Sequence, residues 1–151
     1  MNLSANKKNV TPLAKAMKLL ARRDHSVREL QQKLKPYYPT HEIENVIERC
    51  LQENWLNDAR FAESYIRSRS SAGYGPLRIA LELQQKGVEK ETIRLAFHEA
   101  KIDWQALLLR LLARRQLLPD DIAARYKLQN ALQRKGFSLD LIQRCLPVTE
   151  I

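Results

Sequence analysis

Cysteine is scarce: the 151 residues contain two, Cys50 and Cys145. They lie far apart with no Cys-x-x-Cys spacing, and each falls inside a helical pattern where a thiol serves as a small apolar side chain. Glycine and proline are also few, four and six, and sheet-forming runs of Val, Ile and Thr are missing. Most residues are good helix formers, so an all-α fold is expected. No apolar run reaches the roughly eighteen residues that a spanning helix needs. The opening "MNLSANKKNV" has two lysines with no apolar stretch after them, so it reads as neither signal peptide nor anchor, and a cytoplasmic location is expected. His25, His41 and His98 are isolated from one another and from both cysteines, which leaves no metal-ligand spacing; each is expected at the surface or at a boundary. There is no GxxxxGK[ST] loop, and no spacing recommends a Ser, His and Asp grouping. The chain is therefore expected not to be an enzyme, and to hold no metal or cofactor.

What the chain does have is positive charge: 26 Lys and Arg against 17 Asp and Glu, a net of +9. The excess alternates along the sequence. Residues 1–35 hold nine basic side chains against Asp24 and Glu29, while residues 36–58 hold only Arg49 against five acids. Residues 59–87 return to a net of +3, and 104–119 carry Arg110, Arg114 and Arg115 unopposed. Such basicity suits a polyanion or an acidic protein surface. Scattered solvating charge is the other reading that composition leaves open. The carboxylate pairs Glu42/Glu44, Glu89/Glu91 and Asp120/Asp121 fall in the first turns of expected helices, where negative charge meets the positive end of the helix dipole.

Helix signals recur at short intervals. Thr11 before Pro12 is an N-cap with proline at the first helical position, followed by a stripe of Leu13, Met17, Leu20 and Ala21. "SVRE" from Ser26 to Glu29 is a capping box. Thr40 starts a third helix with Ile43, Val46, Ile47, Cys50 and Leu51 on one side. Further helices are expected over 58–71, burying Phe61, Ala62, Tyr65 and Ile66; over 76–86, burying Leu77, Ala80, Leu81 and Leu83; and over 89–99, burying Ile93, Ala96 and Phe97. Asp103 caps a seventh with Trp104, Leu107, Leu108, Leu111 and Leu112. Pro119 and Asp120 open an eighth that ends at Gly136 in a positive-φ turn, and Ser138 caps a ninth through Leu146.

These nine helices read as three copies of one three-helix unit. "LLARR" stands at 19–23 and 111–115, "LQQK" at 30–33 and 83–86, "VIERCL" at 46–51 against "LIQRCL" at 141–146, and "QKGV" at 85–88 against "RKGF" at 134–137. The expected division is an N-terminal tail over 1–10 and units over 11–55, 56–102 and 103–151. Units of this size are marginal alone, so they are expected to stack through their outer faces and share core, giving an elongated, curved molecule. Leu20, Leu30, Phe61, Tyr65, Leu81 and Trp104 are expected in the core, with Trp55 between the first two units.

"AGYGPLR" at 72–78 uses two of the four glycines among several arginines. A phosphate-cradling loop usually follows a strand and opens a helix with several free N–H groups. Here the preceding residues are helical and Pro76 has no N–H, so a rigid interhelical corner is the better account. Gly73 ends one helix in the left-handed region, Gly75 starts the next, and Pro76 takes its first position. Tyr74 is placed at the tip, either tucked beneath the corner or displayed to a partner.

The stretch "LNDARFAESYIRSRSSAGYGPLRIALELQQKGV" at 56–88 resembles the RecX family of bacterial recombination regulators, as does "RRDHSVRELQQKL" at 22–34. The third unit keeps the Lys-Gly turn and little else distinctive. The resemblance implies tandem three-helix repeats that bind the RecA recombinase and its filament on single-stranded DNA. It also implies inhibition of filament growth, ATP hydrolysis, strand exchange and LexA self-cleavage; separately, a monomer with no membrane partner is expected. Candidate contacts are first Arg67, Arg69, Tyr74 and Arg78, flanking the corner; then Arg22, Arg23, Arg28 and Lys33; then Arg114 and Arg115. For each, a solvated helix face is the alternative. The other reading of the whole is a stand-alone helical nucleic-acid-binding protein whose Arg pairs hold single- or double-stranded DNA.

Overall fold

The computed structural model describes residues 10–115 and 121–146. Among them are nine helices and no strand: α1 (Pro12–Arg22), α2 (Val27–Leu34), α3 (Thr40–Gln52), α4 (Asp58–Ser71), α5 (Pro76–Gln85), α6 (Lys90–Ala100), α7 (Trp104–Ala113), α8 (Ile122–Arg134) and α9 (Leu139–Cys145). The tail through residue 9, and the expected opening of α8 by Pro119 and Asp120, lie outside the described residues; the described α8 is capped by Asp121.

Short side-chain caps set most of the boundaries. Thr11, Asn57, Asp103, Asp121 and Ser138 each accept a backbone N–H from three residues on, relieving the free donors of a helix start. Ser26 and Glu29 form the full capping box. Gly73 ends α4 at φ 94°, as a left-handed terminator requires.

Helices pack in threes, each triplet with its own core. The first is built from Ala16, Leu30, Leu34, Ile43, Val46, Ile47, Cys50 and Leu56. The second holds Phe61, Ala62, Ile66, Ile79, Leu83, Val88, Ile93, Ala96 and Ala100. The third holds Leu107, Leu108, Leu128, Leu132, Phe137, Ile142, Cys145 and Leu146. The expected shared core is thus corrected: among the described residues Trp104 alone packs against two clusters, the second and third. Trp55 packs on the first core, its carbonyl held by Arg60 at 3.1 Å.

Polar joints take the place of shared core. At the first, Ser26 Oγ donates to the Lys86 carbonyl at 2.7 Å and Val27 N–H to Asp58 Oδ1 at 2.8 Å, while Arg60 pairs with Asp24 at 3.1 Å and Lys86 with Glu29 at 2.9 Å. At the second, Gly75 N–H donates to the Lys135 carbonyl at 2.7 Å and Leu77 N–H to the Gly136 carbonyl at 3.0 Å. The two joints share one design. The start of a unit's second helix docks on the Lys-Gly turn of the next unit, Ser26 on Lys86-Gly87 and Gly75 on Lys135-Gly136.

This docking decides which residues face in. A Cβ at Gly75 would lie 2.5 Å from the carbon and oxygen of Gly136, and one at Gly136 would lie 2.5 Å from Arg78 Cβ. Gly75 has an ordinary φ of −90°, so close backbone approach, not conformation, demands glycine there. With the start of α5 pinned against the third unit, Ile79 and Leu83 turn inward, and Leu77 and Leu81, expected in the core, are 61% and 55% exposed. Met17 and Ala21 likewise face solvent, because α1 packs through Ala16 with Leu13, Leu19 and Leu20, and Leu51 does so because α3 packs through Ile43, Val46, Ile47 and Cys50. His25, expected at the surface or at a boundary, is buried, beside the first joint.

Candidate partner-binding surface around the Tyr74 corner

Tyr74 follows the Gly73 terminator and precedes the docked Gly75, so the backbone on both sides is fixed. Its ring is half-buried and packs against the second core. Three cations surround it: Arg69 at 3.8 Å from the ring centre, Arg78 at 4.6 Å and Lys135 of the third unit at 5.4 Å. At such distances a cation is drawn to the ring's negative face.

Glu82 orders the arginines. It receives Arg69 through Nε and Nη2 at 3.0 and 2.9 Å, Arg78 Nε at 3.3 Å, and the Tyr65 hydroxyl at 3.0 Å. Burial alone would raise the Glu82 pKa, but the bonds from Arg69, Tyr65 and Arg78 bring it below its ordinary value. Burial and the bond to Glu82 push the Tyr65 hydroxyl up to about 12, so it stays a donor. A forked arginine on a carboxylate is the most direction-specific of ion pairs.

A second hub lies in the first unit. Burial would raise the Glu29 pKa, yet bonds from Arg23, Lys86 and the Ser26 N–H hold it down at about 2. Lys86 also approaches the Tyr65 ring, at 5.5 Å. Arg23, Glu29, Lys86, Tyr65, Glu82, Arg69, Arg78, Tyr74 and Lys135 therefore form one polar chain crossing both joints. It contains no nucleophile–base pair, and no group of three His, Cys, Asp or Glu able to hold a metal occurs among the described residues. The chain can present ordered positive charge to an acidic or phosphorylated surface.

Three comparisons bear on what that surface serves. Models of the RecX first, second and third three-helix domains match residues 13–50, 57–96 and 103–146. A regulatory protein RecX from Yersinia enterocolitica is 42% identical over 156 aligned residues, 87% of this chain and 93% of that one. One from Serratia proteamaculans is 40% identical over the same shares. The chain belongs to the RecX family. The crystal structure of RecX from Lactobacillus salivarius has the same fold, with a TM-score of 0.71 at 23% identity over 95% of this chain and 96% of that one.

In this RecX-family chain the expected contact residues fall into separate groups. Arg69, Tyr74 and Arg78 come together, and Gly73, Gly75 and Pro76 form the corner beneath them. Arg67 is exposed and pairs with Glu63 at 3.0 Å, outside the cluster. Arg22, Arg23 and Lys33 line one cleft, whereas Arg28 reaches across the first joint to the Gln85 carbonyl at 3.4 Å. Arg114 and Arg115 are exposed at the end of α7, and Arg115 lines a third-unit cleft with Lys127 and Arg134. Sequence reasoning missed Lys135, Lys86 and Glu82. The repeated Lys-Gly was the available signal for the two lysines; nothing local marked Glu82, whose partners lie 4, 13 and 17 residues away.

No described helix is long and apolar enough to cross a membrane.

Proposed function

We propose that this protein binds the RecA recombinase, above all its filament on single-stranded DNA, and restrains it by inhibiting filament extension, ATP hydrolysis, strand exchange and LexA self-cleavage. Membership of the RecX family across all three units, with relatives named regulatory proteins, is the observation that carries this reading. The polar chain supports it physically. It offers cations from successive units at fixed spacing, so a filament groove could be contacted at several points without a deep pocket. If each such contact adds roughly 0.5–1 kcal/mol, a spread footprint gives useful affinity. Occupying the groove blocks addition of the next subunit or wedges neighbours apart. On this reading the protein acts as a cytoplasmic monomer with no chemistry of its own.

Titration into a RecA and single-stranded DNA ATPase assay tests the reading. Hydrolysis should fall to a low plateau; an unchanged rate at saturating protein overturns it. Arg22 and Lys33, which have no partner among the described residues, favour a second reading, a stand-alone nucleic-acid binder. Such a protein neutralising about five phosphates would show log K falling against log salt with a slope near −3.5 to −4.5. Inhibition that persists at salt abolishing binding to bare DNA supports the recombinase reading, and inhibition that disappears in step with it supports the alternative.

A further inference from the structure

Between the end of α1 and the body of α2, Leu19, Arg22, Arg23, His25 and Lys33 enclose a cleft of about 270 Å³. We propose that this cleft binds a phosphate group, from a nucleic-acid backbone or from free phosphate, with Arg22, Arg23 and Lys33 as its cationic donors and His25 as a donor that joins when protonated.

Charge is the first ground. Among the described residues no carboxylate lines the cleft, and Arg22 and Lys33 have no partner. Glu29, which faces His25 from α2, is already taken by Arg23, Lys86 and the Ser26 N–H. Arg23 is braced by the same carboxylate at 3.2 and 3.4 Å and by the Asp24 carbonyl at 2.8 Å, which leaves its Nε uncommitted. The negative end of the α1 dipole draws cations to this spot, but its half charge is small beside three full positive charges. A tetrahedral oxyanion has oxygens on several sides and can meet donors arriving from α1, the connecting segment and α2 at once. No Phe, Tyr or Trp among the described residues lines the cleft, and His25 is 4% exposed, which leaves little ring face to stack a base, so recognition would ignore sequence.

Histidine is the second ground. His25 is 4% exposed, and its Nδ1 lies 3.0 Å from the Arg23 carbonyl. A carbonyl only accepts, so Nδ1 carries the hydrogen and Nε2 is the atom that gains a proton on acidification. Burial lowers the His25 pKa, the carbonyl bond opposes this, and among the charges facing the ring Arg23 and Lys33 lower it while Glu29 raises it. A bound anion among those cations would stabilise the imidazolium. By reciprocity, protonation of His25 would tighten the anion.

The test needs no recombinase, so its failure is distinct from failure of the proposed function. Imidazole signals of the full chain are followed by NMR against pH, with and without inorganic phosphate at matched ionic strength, using exposed His41 and His98 as internal controls. The His25 pKa should rise by about half a unit or more while the controls stay put, and Arg22→Gln with Lys33→Gln should abolish the rise. In a second arm, affinity for a short single-stranded oligonucleotide should increase on lowering the pH from 7.5 to 6, by up to about threefold for a half-unit shift, and His25→Gln should remove the increase. A response to phosphate alone assigns the site to free phosphate. No His25 shift, an equal shift in His41 and His98, or a shift that survives the double substitution overturns the proposal.

Discussion

Tyr74 has two roles that separate by substitution. Its ring packs on the second core and lies among three cations, while its hydroxyl has no partner among the described residues. Tyr74→Phe is expected to leave stability within about 0.5 kcal/mol of the parent. Tyr74→Ala should cost about 2 kcal/mol, because it removes the half-buried ring and its cation partners' platform, and should lower Tm by about 4–8 °C in thermal denaturation. Well below that Tm the alanine variant remains folded, so weaker RecA inhibition there would mean that the ring, or the cations it positions, touches the recombinase, whereas unchanged inhibition would make the ring a packing residue alone. Of the two expected placements, tucked beneath the corner or displayed to a partner, the structure shows the ring half-buried against the second core, and the inhibition measurement addresses the partner. Gly75→Ala tests the joint more severely. Its new methyl meets only backbone, which cannot rotate away, so a loss of roughly 1–3 kcal/mol is expected from urea denaturation.

At the scale of helices, whatever closes within three or four residues was legible. The "SVRE" box, the caps Asp103 and Ser138, and the Gly-Tyr-Gly-Pro corner appear where their local chemistry requires. What depends on the next unit was not. Ser26 reads as a cap, yet its hydroxyl also donates to the Lys86 carbonyl, 60 residues on. The start of α5 has no side-chain cap because the Gly136 carbonyl of the third unit takes up the Leu77 N–H instead. Periodicity finds an apolar face but not its outward neighbours, so Leu77 and Leu81 passed for core and Ile79 was overlooked. Ser26→Ala removes a cap and leaves the Lys86 carbonyl short of a donor. It is expected to cost about 1–2 kcal/mol and to speed amide exchange at Glu29 more than at the amides of α8, as measured by native-state hydrogen exchange.

Across the whole molecule, separate cores linked by polar joints make the first joint the acid-sensitive part. Glu29, at about 2 in the fold against an ordinary 4.5, contributes stability that is complete above 4.5 and is lost as pH falls from there toward 2. That shift corresponds to an upper value of about 3 kcal/mol. His25 acts earlier in the same direction. Its pKa is depressed by burial below 6.5, so the unfolded chain takes up the proton first and stability declines as pH drops through that value. Asp58, raised above its ordinary 3.8 by burial despite the Val27 N–H, binds its proton more readily when folded and offsets part of the loss. The urea midpoint should therefore fall from pH 7 to 5.5 and fall again to 3.5. Glu29→Gln should lie well below the parent at pH 7, and the gap should narrow by pH 3.5 and close only as pH approaches 2, where Glu29 itself takes up a proton in the fold and releases Arg23 and Lys86. Parallel curves across that range would show that Glu29 does not control the joint, and would move the acid sensitivity to groups elsewhere in the array.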